Sequence, residues 1–530
     1  MRLKNTSINK TKPLLDSEGN LIKGVTTTLD YLPFGTDADV KAEMLKTKKE
    51  QRKLPEGVES KSLYSDIIRI TWPSMLELFL TSLVSMVDMM MVSGLGSSAT
   101  TAIGLANQPR FLILTTLMAL NTGATAIIAR ARGSGRHELT NQILRQAMVL
   151  ATGISIICGF LGVYFSGWMI NFMANGGMQE ATIKAGTRYL QIQMAAFPLF
   201  SWSFCITAAL RGTGNTKPSM IYNITANLVN IFLNYLLING HWGFPALGVA
   251  GASLATVISQ LVATIIALYC VFSGKFYLKL RLKNLLKFDK RIVGDIAKIG
   301  LPAMLEQVVM RIGMVIYSRT VATLGEVANA AFQICMNIQS LSMMNGQSFA
   351  VAATTLTGQS LGRRRLDLAE HYGIRCRNLG LCIALFLSLI FAIFGKYLVM
   401  LYNSKELAVI QMGTVIMIIV ALLQPFMSSQ FILGGLLRGA GDTKSTAIIM
   451  LITVVIIRTS VAYVFVSLID YSFIAGTFLS RWLDSTTAGG LTEIRLYGAW
   501  IAVLADQMLR SWLILLRYNQ GKWKEIRLLQ

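Results

Sequence analysis

The sequence predicts an all-α integral membrane protein whose twelve transmembrane helices form two pseudo-symmetric six-helix bundles. Composition, the distribution of basic residues and an internal repeat lead to this prediction. The 530-residue chain is 53% hydrophobic and 14% charged, whereas soluble domains carry about a quarter charged residues. Its apolar residues form runs of roughly 20 to 28 residues, which are long enough to cross a hydrocarbon core of about 30 Å as helices.

The apolar runs give approximate spans at 66–93, 101–130, 143–169, 186–210, 217–240, 247–273, 296–323, 327–357, 374–403, 408–437, 443–469 and 496–518. They divide the chain into an N-terminal tail at 1–62, a first lobe at 63–274, a basic linker at 275–295, a second lobe at 296–519 and a C-terminal tail at 520–530. The first sixty or so residues are polar and lack the apolar core of a signal peptide, so we expect a flexible tail with little fixed structure.

The net charge of +22 is unevenly distributed between alternate inter-helix segments. The basic set comprises the N-terminal tail, 130–145, 275–298, 363–377 and 517–527. The other set holds few cations, a bias of about six to one, which is typical of the positive-inside rule. This pattern favours a bilayer over nucleic acid as the partner. It predicts a multi-pass plasma-membrane protein with the linker and both termini in the cytoplasm.

An internal repeat relates the two halves. Pro73-Ser-Met-Leu-Glu77 opens the first span and Pro302-Ala-Met-Leu-Glu306 opens the seventh. Leu-Arg-Gly-x-Gly-x-Thr-Lys closes the fourth span at 210–217 and the tenth at 437–444. Both pairs share an offset near 228 residues, and an offset of six spans keeps each copy in the same orientation. Such parallel repeats meet at a midplane cavity and can rock against each other.

Ionisable and amide side chains inside spans are candidate functional groups, because burying them in lipid is costly. Counting from the outer helix ends, Asp88 and Asn234 lie about 9 Å deep, Thr256 about 13 Å and Asn230 about 15 Å. One carboxylate, two amide oxygens and a hydroxyl therefore share a layer. This set suits Na⁺, and a desolvated carboxylate equally suits a proton. A buried aspartate that its partners merely satisfy is the structural alternative.

A second group of polar residues is predicted to line the substrate cavity. Glu77 and Glu306 occupy equivalent depths in the two lobes and are hypothesised to attract cationic substrates. Asn223 and Asn227 continue the amide stripe of the fifth span, where an interhelical hydrogen-bond seam is the favoured interpretation. Tyr317 occupies the repeat position of Asp88.

The last two spans contain further charges. Asp506 and Arg510 lie one helical turn apart on the twelfth span, so we expect them to neutralise each other. The sequence provides no evident partner for Arg458 on the eleventh span.

Taken in order, several motifs make the chain after residue 65 resemble the multidrug and toxic compound extrusion (MATE) family of secondary transporters. They are Pro73, Val87-Asp88, the Leu-Arg-Gly-x-Gly motifs, Asn230-x-x-x-Asn234, Gly248-Val-Ala-Gly-Ala-Ser-Leu-Ala-Thr256 and Gly358-Gln-Ser-Leu-Gly362. The resemblance implies a V-shaped cavity between the lobes and export of small molecules driven by Na⁺ or H⁺ antiport.

The resemblance also implies a cation site in the first lobe, built from Asp88, Asn230, Asn234 and Thr256. The chain departs from parts of the family. It has Asn234 where the DinF-like branch often has an aspartate. Met310 and Met427 stand where the NorM-like branch has acidic residues, so we do not expect a cation site in the second lobe.

We therefore predict an ion-coupled antiporter, with no cofactor beyond Na⁺ or H⁺, that exports cationic or amphipathic organic compounds as a monomer. A flippase of a lipid-linked precursor is the nearest alternative, but it would favour a strongly cationic cavity. An enzyme is disfavoured because the three histidines are widely separated. A channel is disfavoured because no filter motif is present. The six cysteines show neither metal nor disulfide spacing.

Overall fold

The computed structural model describes residues 27–45, 53–55, 58–174, 178–280, 289–402, 406–468, 491–526 and 528. Within these residues the secondary structure is helical throughout, without a strand. A short helix, α1 (Asp37–Leu45), precedes the membrane-spanning part. The first lobe contains α2 (Ser60–Ser93), α3 (Ser97–Gly133), α4 (His137–Tyr164), α5 (Ser166–Ala174), α6 (Glu180–Ala195), α7 (Phe197–Gly212), α8 (Lys217–Asn239) and α9 (Gly248–Phe272).

The second lobe repeats this order with α10 (Lys290–Ala322), α11 (Glu326–Gly362), α12 (Leu366–Tyr402), α13 (Leu407–Ala440), α14 (Thr443–Met450), α15 (Thr459–Tyr463) and α16 (Leu491–Asn519). Helices α14 and α15 form one rod with π-helical turns at Leu451–Arg458 and Val464–Leu468. Residues 469–490, which follow this rod in the sequence, lie outside the described residues.

Within the described residues, length and apolar character identify ten or eleven of the twelve predicted spans, and the remaining one is assigned from the repeat. Ten described helical segments are long and apolar enough to cross a membrane, and the bent pair α6–α7 forms an eleventh span. The twelfth is α11, which matches α3 in length at 37 residues and occupies the same place in the repeat. Its sequence is less apolar because much of it is buried among other helices rather than in lipid. Large apolar side chains are exposed on the outer faces of other spans, including Ile157, Phe160, Phe386 and Leu389.

Two of the predicted continuous spans are interrupted. The fourth, predicted at 186–210, consists of α6 and α7, which meet at a bend of 56°. Pro198 lies just after this bend, and its ring and missing N–H disfavour a continuous helix. The third, predicted at 143–169, ends at Tyr164, and α5 follows as a separate short helix.

The lobes meet along the face of the molecule that holds both described chain ends, which we call the terminal face. There α3 and α11 cross in backbone contact. A Cβ atom on Gly133 would lie 2.0 Å from the carbonyl oxygen of Gln359, and one on Gly362 would lie 2.1 Å from that of Arg130. Only glycine permits so close an approach.

Hydrogen bonds join the lobes at the same level. Thr355 Oγ1 donates to the Arg211 carbonyl at 2.8 Å, and Gln359 Nε2 donates to the Gly212 carbonyl at 3.0 Å. These contacts close the seam between the lobes on the terminal face.

The prediction of a flexible tail over 1–62 is wrong for the described part of that segment. Thr28–Tyr31 form a 3-10 helix, α1 follows, and Leu29 and Leu32 are 1% and 9% exposed. The average composition of residues 1–62 is polar and therefore does not indicate that Leu29 and Leu32 are buried in an apolar cluster. The predicted linker is shortened, because α10 begins at Lys290, and its residues 281–288 lie outside the described part. The C-terminal segment packs through the fully buried Trp523.

Candidate functional site

The cluster predicted in the first lobe is assembled by α2, α8 and α9. Asn230 and Asn234 lie one turn apart on the same face of α8. Helix α9 returns antiparallel to α8 and approaches it closely, since a Cβ atom on Gly251 would lie 2.3 Å from the Leu237 carbonyl oxygen. This approach places Thr256 beside Asn230.

Hydrogen bonds connect the side chains of Asp88, Asn230 and Asn234, and a backbone N–H links Thr256 to them. Asn234 Nδ2 donates to Asp88 Oδ1 at 2.7 Å. In the amide orientation that its neighbours favour, Asn230 donates to Asp88 Oδ1 and Oδ2 at 2.9 and 3.0 Å and accepts from the backbone N–H of Thr256 at 3.2 Å. The structure thus brings together all four residues that the depth estimate placed in one layer.

One oxygen in this cluster lacks a donor. Asn234 is 1% exposed, and its Oδ1 is buried without a hydrogen-bond partner among the described residues. Such an acceptor is costly, and a bound ion is one physical explanation for it. The available ligands are carboxylate, amide and hydroxyl oxygens from Asp88, Asn230, Asn234 and Thr256. Hard cations prefer oxygen ligands of this kind, so the residue types suit Na⁺, while in this structure both amides direct their nitrogens at the carboxylate.

Arg110 is close enough to interact electrostatically with Asp88 and was missed in the sequence analysis. It lies in the middle of α3, half-buried. The rule that singled out Asp88, that ionisable residues inside spans are functional candidates, would also have singled out Arg110.

Glu77 does not stand free in a cavity. It is 5% exposed, and its Oε1 accepts from Arg211 Nη2 at 2.9 Å and from Asn223 Nδ2 at 2.7 Å. Arg211 belongs to the first Leu-Arg-Gly motif, so the two repeated motifs of the sequence meet as an ion pair inside one lobe.

Glu306 repeats this arrangement in the second lobe. It is 5% exposed, its Oε1 accepts from Arg438 Nη1 at 2.9 Å, and its Oε2 accepts from Thr446 Oγ1 at 3.1 Å. Both glutamates are neutralised by arginine within their own lobes. The structure therefore shows Glu77 and Glu306 as ion-paired acids, and the hypothesis that the pair attracts cationic substrates remains a prediction.

The amide seam between α2 and α8 is confirmed. Asn223 bonds to Glu77 of α2, and Asn227 Nδ2 donates to Thr81 Oγ1 of the same helix at 3.1 Å. Asn227 is half-buried beside this contact, while Asn223 is tied to the Glu77 ion pair. Their primary role in the structure is to join two helices.

Tyr317 is a packing residue rather than a cavity-lining one. Its side chain is 0% exposed, its hydroxyl donates to the Ala499 carbonyl at 3.0 Å, and its ring packs edge-on against Phe332. The repeat position of Asp88 is thus filled by an aromatic side chain in the second-lobe core.

A buried charge cluster joins α16 to the π-helical turns after α14. Asp506, 0% exposed, pairs with Arg510 as predicted. Arg458, whose partner was not evident from the sequence, donates to Asp506 Oδ2 through Nε at 2.9 Å. Arg510 Nε also donates to Thr453 Oγ1 at 2.9 Å. One carboxylate is therefore held between two guanidinium groups.

Comparison with known proteins gives a family match in both lobes. The MatE family model matches residues 73–236 and 302–464, which are two copies in one chain. The probable multidrug resistance protein NorM of Thermotoga maritima is 29% identical over 471 residues, covering 88% of this chain and 94% of that protein. The multidrug resistance protein MdtK of Yersinia pestis is 29% identical over 322 residues, covering 61% of this chain and 70% of its own length.

Solved structures share the fold. A multidrug resistance MATE family transporter of the MOP superfamily, solved in an outward-facing conformation, superposes with a TM-score of 0.76 at 21% identity, covering 88% of this chain and 97% of that one. A MOP superfamily transporter from Pyrococcus furiosus gives a TM-score of 0.77 with the same identity and coverage.

Proposed function

Because the chain belongs to the MatE family, whose multidrug resistance members include NorM and MdtK, we propose that it is an ion-coupled antiporter that exports small organic compounds. The proposal places it in the plasma membrane as a single functional chain, with the terminal face in the cytoplasm. The uneven distribution of basic residues supports that orientation.

One observation carries the proposal: Asp88 and the unpartnered Oδ1 of Asn234 belong to the same buried cluster. A monovalent cation placed there would balance the carboxylate and supply the missing partner of the amide oxygen. Protonation of Asp88 would balance the charge but would leave Asn234 Oδ1 without a donor, unless the proton points to it. This difference favours Na⁺ over H⁺ as the coupling ion.

The seam closed on the terminal face supports alternating access. When the two lobes are packed together on the terminal face, the ion site in the first lobe is accessible from the opposite face. Ion binding at Asp88 then stabilises the conformation that releases substrate outward. Coupling requires that the ion bind the two conformations with different affinity.

The substrate is proposed to be amphipathic and small. Relatives named for multidrug resistance support this class. The two buried glutamates give no reason to require a positive charge on the substrate, since arginine neutralises both. Nothing in the family match favours a flippase of a lipid-linked precursor.

The test is efflux of a fluorescent organic cation from proteoliposomes containing the purified chain, under separate Na⁺ and H⁺ gradients. We expect the Na⁺ gradient to drive efflux in the unmodified chain. Asp88→Asn should reduce the initial rate at least about tenfold, since the ion's charge is no longer compensated. Asn227→Ala, on the same helix face but bonded to Thr81 and not to Asp88 among the described residues, is the control and should stay within about twofold.

A second measurement does not depend on the choice of substrate. Replacing K⁺ by Na⁺ at constant ionic strength should raise the melting temperature of the unmodified chain, because a ligand that binds only the folded state stabilises it. The rise should be absent in Asp88→Asn. Unchanged transport and an unchanged Na⁺ response in Asp88→Asn would contradict the proposed coupling site.

A further inference from the structure

The N-terminal segment bridges the two lobes on the terminal face. We call residues 27–36 the N-terminal brace. Its Asp30 is 8% exposed, and each carboxylate oxygen meets a different lobe: Oδ2 accepts from Arg132 Nη2 at 3.0 Å and Oδ1 from Arg363 Nη2 at 3.3 Å. Arg132 lies in the last turn of α3 in the first lobe, and Arg363 directly follows α11 in the second.

Further contacts fix the brace to the second lobe. Arg363 Nη1 donates to the Leu32 carbonyl at 2.7 Å, and its carbonyl accepts from the backbone N–H of Gly35 at 3.0 Å. The Phe34 ring lies 4.8 Å from the same guanidinium. Arg363 is therefore held by the brace through its side chain, its backbone and an aromatic face.

A second carboxylate ties the brace to both lobes. Asp66, at the start of α2, accepts from the backbone N–H of Thr28 at 2.8 Å and from the hydroxyl of Tyr372 on α12 at 2.7 Å. Leu29 packs into the same apolar cluster as Ile67 of α2 and Leu361 of α11. The brace thus occupies the seam rather than the surface of one lobe.

Asp30 supplies a negative charge that two buried arginines from opposite lobes share. The side chains of Arg132 and Arg363 are 6% and 3% exposed, and Asp30 is the carboxylate that both of them contact. Two buried guanidinium groups from opposite lobes would otherwise repel each other in a medium that screens charge poorly. Burial lowers the pKa of Arg363, and Asp30 opposes that shift.

From this geometry we infer that Asp30 is a gating residue, which holds the terminal ends of the lobes together while the transporter is open to the opposite face. The inference rests on the alternating access in the proposed function. Opening of the terminal face must separate Arg132 from Arg363, so Asp30 cannot keep both contacts in that state. The brace therefore sets the balance between the two conformations and is not merely an appendage of the fold.

The test measures distances between the lobes with pairs of spin labels in the full-length chain. Labels are placed at Glu138→Cys in the first lobe and Lys444→Cys in the second, both exposed on the terminal face, after replacement of the six native cysteines. Asp30→Asn should increase the ratio of terminal-face-open to closed molecules at least about tenfold, since it removes the charge between two buried cations.

A matched control is available at Asp37, the first residue of α1. Asp37 pairs with Arg364 at 3.0 Å, but both side chains are exposed, at 82% and 56%. Asp37→Asn removes the same charge close to the same seam and should leave the distance distribution unchanged, because exposed ion pairs contribute little.

A second variant tests the brace without removing any charge. A Cβ atom on Gly35 would lie 2.4 Å from the carbonyl oxygen of Arg364, so Gly35→Ala must move the brace away from the second lobe. It should shift the distances in the same direction as Asp30→Asn. Monodisperse Asp30→Asn and Gly35→Ala proteins with unmodified distances would overturn the inference, even if their melting temperatures fell. These distances need neither substrate nor gradient, so they are independent of the Asp88 result.

Discussion

The two lobes place polar clusters on corresponding helices but balance them in different ways. In the first lobe, α2, α8 and α9 surround the Asp88 carboxylate with amides, and one amide oxygen has no donor among the described residues. In the second lobe, Tyr317 of α10, Arg458 after α14 and Asp506 of α16 are in contact, and the carboxylate meets two guanidinium groups. In the second lobe, the positive charges that balance the carboxylate belong to arginine side chains of the protein itself.

The sequence shows how the two clusters correspond. Leu254-Ala255-Thr256 on α9 matches Leu504-Ala505-Asp506 on α16, and each triplet begins six residues after the glycine near the start of the span. A hydroxyl in one lobe thus corresponds to an acid in the other, and Asp88 corresponds to Tyr317. The two lobes therefore keep the same helix positions, while the charged residues at those positions differ. This difference supports the proposal that ion coupling belongs to the first lobe.

Replacing the aspartate by asparagine should affect stability much more in the second lobe than in the first. Asp506→Asn leaves two guanidinium groups buried without a counter-charge, so it should reduce the free energy of unfolding by about 3–5 kcal/mol. Asp88→Asn, in a half-buried site lined by neutral amides, should change it by less than about 1 kcal/mol. Unfolding followed by circular dichroism in a Na⁺-free buffer measures both. Equal losses of unfolding free energy in the two variants would contradict the difference between the two clusters.

Removal of one arginine should be milder than removal of the acid between them. Arg458→Met leaves Asp506 paired with Arg510 and keeps an unbranched side chain of similar length. We expect a loss of about 1–2 kcal/mol in the same unfolding assay. A loss as large as that of Asp506→Asn would mean that Arg510 alone does not compensate the carboxylate.

The first-lobe cluster was predictable because depth and helix face are local properties. Asn230 and Asn234 are one turn apart whatever surrounds them, and Asp88 can be placed in depth by counting residues from the end of its own span. The repeat then fixed the number and order of the helices.

Contacts that depend on the rotation of one helix against another were not predictable. The pairing of Arg458 with Asp506 is an example, because the π-helical turns at Leu451–Arg458 change the face that the rod presents. The ion pair between Glu77 and Arg211 joins helices far apart in sequence. The brace was not predicted because the polar average composition of residues 1–62 does not reveal the burial of Leu29 and Leu32.

Substitutions at Asn234 should tune the first-lobe site without affecting the second. Asn234→Asp adds a second carboxylate and should strengthen the apparent Na⁺ affinity about tenfold, whereas Asn234→Leu removes both the hydrogen bond to Asp88 and the free oxygen and should weaken it by a similar factor. The Na⁺ dependence of efflux provides the measurement. No change in either variant would remove Asn234 from the ion site.

The smallest effect is expected at Tyr317. Tyr317→Phe keeps the ring and removes the hydrogen bond to the Ala499 carbonyl, which should cost about 1 kcal/mol of stability. Efflux by the folded protein should match that of the unmodified chain. Loss of transport at full stability would show instead that this hydroxyl reaches the substrate.

The crossing of α3 and α11 has a consequence for the origin of the chain. Gly133 approaches Gln359, Gly362 approaches Arg130, and these two contacts exchange places under the repeat. Such reciprocity defines an isologous interface, the kind that two identical subunits form around a two-fold axis. The crossing is therefore what a homodimer of six-helix chains would have made, and fusion of the two genes would have preserved it within a single polypeptide.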